Sequence, residues 1–119
     1  MRLLTLRTDD GSRAVRQDGE TLTEIDGFGD VGQLLKDPAW IDIAQGADGA
    51  RHDLASADLA AVVPTPGKII CVGLNYRTHI LAMGRDLPKF PTLFSKFAEM
   101  LIGANDDIAL PGEDEAVDW

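Results

Sequence analysis

The chain has 119 residues, 45% of them hydrophobic and 26% charged, the profile of a globular domain rather than a fibrous or disordered chain. With 20 acidic against 11 basic residues the net charge is −9, which argues against a nucleic-acid partner, because phosphate binding needs a clustered basic face. No apolar run approaches the roughly 18 residues of a membrane helix, and no basic-then-apolar leader opens the chain, so a cytoplasmic protein with no membrane partner is expected.

From Arg2 to Ile25 the pattern is a three-strand antiparallel meander. Leu3–Leu6, Ala14–Arg16 and Thr21–Ile25 have strand composition, and Asp10-Gly11 and Asp18-Gly19 suit tight hairpin turns that need positive φ. Asp26-Gly27-Phe28-Gly29 then turns the chain into two short helices. Asp30 is placed to cap the first, with Val31, Leu34 and Leu35 on one face. Asp37 and Pro38 give a cap and a first-turn proline to the second, with Trp40, Ile43 and Ala44 inward and Gly46 and Gly49 closing it. His52, alone between Arg51 and Asp53, reads as a surface residue, since metal sites need several ligands converging.

Leu59–Val63 is apolar, and Pro64-Thr65-Pro66 then forces a stiff extended link. A module boundary is expected there. It divides a flank domain over 1–62 from a second domain over 63–119. The fold class is α+β and mainly β.

The second unit opens on KIICVGLNYRTH, Lys68 to His79. Ile69, Ile70, Cys71 and Val72 suit a strand buried on both faces, which would also make Cys71 a buried, inert thiol. Gly73 breaks the run. Asn75 is expected to cap a short helix that Gly84 ends in a left-handed conformation, placing His79 in the first turn. There the positive end of the helix dipole favours a neutral imidazole able to act as a base. Arg77 and Lys96 are candidate anion binders, Lys96 following an expected strand at Thr92–Ser95. Tyr76 reads equally as a packing aromatic with its hydroxyl at a rim. The acids Asp106, Asp107, Glu113, Asp114, Glu115 and Asp118 read as a solvated loop.

CVGLNYRTH, Gly84, the LPKFPTLFSKF segment, Leu101-Ile102-Gly103, Ile108 to Pro111 and Val117-Asp118-Trp119 together resemble the fumarylacetoacetate hydrolase family, over Val63 to Trp119. The resemblance implies a mixed β-roll and a metal-dependent hydrolase or isomerase. Its substrates would be short 2,4-dioxo or 2-hydroxy-dienoate acids, as in aromatic compound catabolism, undergoing carbon–carbon cleavage, decarboxylation, hydration or isomerisation. It implies His79 as the catalytic acid/base, and Asn75, Tyr76, Arg77 and Lys96 as substrate contacts. The family pairs this histidine with a glutamate three residues on, a neighbour on the same helix face. Here that position is Ala82, and neither Asp86 nor Glu99 can be brought to His79 by sequence alone.

Family members bind Mg²⁺ or Mn²⁺ through two glutamates one residue apart and a distant aspartate. The first follows the Asp-Trp pair that ends this sequence as Asp118-Trp119. Glu113 and Glu115 have the right mutual spacing but precede that point, so no metal ligand and no bound metal are expected of this chain. The resulting expectation is an N-terminal fragment of such an enzyme, inactive alone, with a homodimer partner or a complementing C-terminal fragment. The alternative is a non-catalytic binding or assembly module derived from the same fold.

Overall fold

The computed structural model describes residues 1–110 and 112, and shows mixed α+β architecture dominated by strands. Strands β1 (Arg2–Thr8), β2 (Gly11–Asp18), β3 (Thr21–Glu24) and β4 (Arg51–Asp53) form one antiparallel sheet in the order β1-β2-β3-β4. The meander is as the sequence implies, but both turns lie one residue away from their expected places. Thr8 pairs Gly11 around Asp9-Asp10, and Asp18 pairs Thr21 around Gly19-Glu20. The glycines explain the shift: Gly19 takes φ +62 at the first turn position, while Gly11 takes φ +135 just after its turn.

The meander's apolar alternation is imperfect because both faces of the sheet are covered. Ala14 and Ile25 pack on one face beneath helices α1 (Val31–Leu34) and α2 (Trp40–Gln45), whose Leu34 and Ala44 are buried. Leu6, Val15 and Leu22 pack on the other, under Leu54, Ala57 and Leu59. A strand with two covered faces has little need of polar residues at every second position.

Asp30 caps α1, its carboxylate accepting from the Gln33 amide at 2.8 Å. Leu35, expected on the buried face, is exposed because α1 stops at Leu34. Asp37 accepts from the Ala39 amide at 2.8 Å, so the chain turns there and α2 proper begins only at Trp40. Gly46 follows α2 without a left-handed φ.

Residues 58–62 run along the outer edge of β1. Arg7 N–H donates to Asp58 O at 2.8 Å, Ala60 N–H to Thr5 O at 2.9 Å, and Leu6 bridges Leu59. The buried Thr5 hydroxyl donates to Val62 O at 2.8 Å and accepts from Val31 N–H at 3.1 Å, tying the seam to α1.

Beyond the two seam prolines, β5 (Ile69–Gly73) pairs antiparallel with β6 (Thr92–Lys96), and α3 (Arg77–Ala82) lies between them in sequence. Strand β5 is not buried on both faces: Ile70 is 64% and Val72 48% exposed, opposite Leu93 at 61%. Cys71 is accordingly half-buried rather than buried.

Candidate functional site

The strand-to-helix junction is built by backbone rather than by side-chain caps. The sequence places the turn at Gly73, yet the left-handed residue is Leu74, at φ +50. A non-glycine residue held there costs on the order of 1–3 kcal/mol, a cost that recurs at functional turns. Asn75 does not cap α3. Tyr76 occupies the cap position in extended conformation with no side-chain cap bond, so the helix starts at Arg77.

At the other end the expected left-handed glycine is present. Gly84 has φ +67, its amide donates to Leu81 O at 3.0 Å, and the Arg85 amide donates to Ile80 O at 3.1 Å. This pair of crossed bonds satisfies the last carbonyls of the helix. Ile80, 3% exposed, is the buried anchor of α3.

Asn75, Tyr76, Arg77 and His79 therefore emerge together at one end of β5, and all four are exposed. His79 is the third residue of a six-residue helix, as near the last turn as the first. The dipole argument thus has no defined sign there. Ala82 closes the same helix, and no hydrogen bond among the described residues joins His79 to Asp86 or Glu99.

Lys96 is not brought to this group. The register pairs Gly73 with Thr92 and Ile69 with Lys96, so Lys96 stands at the opposite end of the hairpin. Four strand steps of about 3.3 Å put it roughly 13 Å along the strand from the junction. There its ammonium sits 5.9 Å from the Phe94 ring centroid.

Among the described residues no three His, Cys, Asp or Glu side chains gather closely enough to hold a metal ion. Glu113, Asp114, Glu115 and Asp118-Trp119 lie outside the described residues. His52 sits on β4, a strand too short and polar to be read from sequence. It pairs there with Glu24 at 2.7 Å in a half-buried contact.

Sequence reasoning misses a polar cluster that spans the chain. Arg7 of β1 forms a fork to Asp106, with Nη1 donating to Oδ1 at 2.7 Å and Nη2 to Oδ2 at 2.6 Å. Nη1 also donates to Asp58 at 2.8 Å, and the Gly103 amide donates to Asp106 Oδ2 at 2.6 Å. The Arg7 hydrogen bonds and the Gly103 amide hold the Asp106 carboxyl down to about 2, and the two carboxylates push the Arg7 guanidinium further up. By its sequence Asp106 belongs to a solvated loop; in the fold it is a fixed partner of β1. Only Gly103, three residues before it, hints at a close approach.

The sequence profile of the fumarylacetoacetate (FAA) hydrolase C-terminal family matches residues 68–119. Over those residues the chain is similar to the fumarylacetoacetate hydrolase family. A mitochondrial oxaloacetate tautomerase of Xenopus laevis is 39% identical over 74 residues, covering 60% of this chain and 23% of the relative. One of Bos taurus is 46% identical over 59 residues, covering 50% and 19%. A fumarylacetoacetate hydrolase domain-containing protein 2 homolog of Dictyostelium discoideum is 48% identical over 54 residues, covering 45% and 18%. The chain thus spans about a fifth of the length of these relatives. A crystal structure described as an HpcE protein from Mycobacterium smegmatis superposes with a TM-score of 0.75 at 25% identity, over 94% of this chain and 41% of that one. That superposition takes in the N-terminal sheet as well as residues 68–119.

Proposed function

We propose that this chain supplies the N-terminal flank domain (1–62) and the first part of the β-roll (63–119) of a family enzyme acting on a short oxo-acid. The relatives named as oxaloacetate tautomerases favour keto–enol isomerisation of a 2-oxo dicarboxylate over carbon–carbon hydrolysis. The observation that carries the reading is the Lys68–His79 stretch, folded as strand, strained turn and helix inside the matched residues.

In this reading His79 moves the proton between carbon and oxygen, Arg77 holds a carboxylate, and Asn75 and Tyr76 orient the enol. Lys96 enters only if closure of the complete site brings the far end of the hairpin to the substrate. Mg²⁺ or Mn²⁺ belongs to the complete enzyme, where it would polarise the substrate's oxygens. The described residues do not gather the roughly six oxygen donors such an ion takes.

The chain alone is proposed to be inactive, working as part of a homodimer or with a complementing polypeptide, in the cytoplasm. A non-catalytic assembly module is the second reading. It is favoured by Ala82 in place of the acid and by the open apolar face of β5 and β6.

The test is ultraviolet-monitored tautomerisation of oxaloacetate with divalent metal, using this chain mixed with a family polypeptide that begins at the Glu-x-Glu strand. Turnover should appear in the mixture and fall about a hundredfold in His79→Ala, as loss of a positioned acid/base group implies. His52→Ala should leave it unchanged. Equal turnover of His79→Ala and its parent would refute the catalytic assignment, and binding without turnover would favour the module.

A further inference from the structure

Arg7 lies in the N-terminal sheet, Asp58 in the seam, and Asp106 in the family-matched half, 99 residues from Arg7 in sequence. We propose that Arg7 is a positioning residue for those matched residues: its guanidinium seats the Leu101–Asp106 segment against the 58–62 stretch that lines β1, and so fixes where the chain beyond Asp106 sets out.

Apolar burial does not hold the segment there. Leu101 is 39% exposed and Ile102 49%, and beyond the contact Ile108 is 76% and Leu110 64% exposed. The polar contacts must do it. Isolated surface ion pairs are worth little, but this one is a two-bond fork in which both carboxylate oxygens are engaged, the geometry that makes an arginine pair directional.

Asp58 matters because it constrains Arg7 from the β1 side. Its backbone oxygen takes the Arg7 amide and its carboxylate shares Nη1, so the fork is oriented independently of the incoming segment. Preorganisation of this kind lowers the ordering cost of seating the loop.

Gly103 gives the second, independent sign of a fitted seat. It is buried, and a Cβ there would overlap the Leu59 carbonyl oxygen and come within 3.0 Å of Arg7 Nη2. Its amide, bonded to Asp106 Oδ2 at 2.6 Å, closes the loop into one unit with the Asp106 amide, which donates back to Gly103 O at 3.4 Å. The flank domain is therefore a docking platform for the chain that leads onward from the hairpin. That segment's purpose as an approach to a catalytic site rests on the proposed function; the seating itself does not.

Amide hydrogen exchange on the full chain tests the seating. Asp106→Asn keeps the shape and removes the charge, and should speed exchange at Gly103 and Asp106 tenfold or more. Arg7→Lys, which keeps the charge and loses the fork, should fall between that variant and the parent. Exchange at Val15 and Leu22 should stay at the parent rate in both. Parent-like exchange at Gly103 in both variants, or equal acceleration at Leu22, overturns the proposal. Neither result depends on turnover, so failure here leaves His79 untouched, and failure of the tautomerase assay leaves the seating untouched.

Discussion

Replacing Leu22 by alanine should be far more damaging than replacing Ile70, although both are large apolar residues on strands. Leu22 is fully buried between Leu6, Val15 and the Leu54–Leu59 cover, whereas Ile70 is 64% exposed. A buried leucine truncated to alanine costs about 2–5 kcal/mol, transfer and cavity together. A unit of some sixty residues has only about 3–9 kcal/mol to lose. Ile70 retains roughly a third of the 2–3 kcal/mol that full burial is worth, so Ile70→Ala should cost about 1 kcal/mol or less. Urea unfolding followed by the fluorescence of Trp40, which packs against the α1/α2 core, reads the first unit directly. With a slope near 1–2 kcal/mol/M, the Leu22→Ala midpoint should fall by roughly 2 M or the unit should fail to fold. Ile70→Ala, at about 1 kcal/mol or less, should lower the midpoint by no more than about 0.5–1 M. A loss for Ile70→Ala matching that for Leu22→Ala would show that the β5–β6 face is covered in solution, and would refute the division between a closed sheet and an open hairpin.

Acid should release the seated segment before it unfolds the meander. The Asp106 carboxyl is depressed to about 2 in the folded chain, so its contribution is complete above the unfolded value near 4 and is lost as pH falls from about 4 toward 2. Exchange at Gly103 should accelerate across that window, and a profile flat down to pH 2 would contradict the assignment. Asp10, held down by the Thr8 hydroxyl and then by Arg13, loses its contribution in the same direction at the β1–β2 turn. Gly103→Ala should unseat the loop at a cost of about 1–3 kcal/mol, because the obstructing Leu59 oxygen is backbone; unchanged amide shifts for residues 101–106 would exclude this. Ala82→Glu should raise turnover in the reconstituted enzyme by supplying the carboxylate three residues after His79, and unchanged kinetics would mean that another group already acts as the acid.

What the sequence reveals here depends on how local the cause is. The meander is legible because glycine is nearly obligatory at Gly11 and Gly19, and α1 because Asp30 has a specific partner in the Gln33 amide. The left-handed stop at Gly84 is legible for the same reason. Strand β4 is not, since Arg51-His52-Asp53 carries no apolar period and is a strand only because β3 offers it an edge. Leu74 is invisible: it takes the positive φ at the junction, while Gly73 beside it could have adopted that conformation at no steric cost. Asn75 fails as a cap because Tyr76 intervenes before the first helical residue. The partner of Arg7 cannot be inferred either, because a contact spanning 99 residues leaves no trace in local pattern.

The exposure of the candidate site and the openness of its strands have one physical origin. The N-terminal sheet is covered on both faces, whereas Ile70, Val72 and Leu93 share one uncovered face of the β5–β6 hairpin. An acid/base group gains its power from a dry, fixed surrounding, and His79 at the end of that hairpin has neither wall nor partner acid among the described residues. A surface laid over the Ile70–Leu93 face would reach the Asn75–His79 junction at the Val72–Leu93 end of the hairpin.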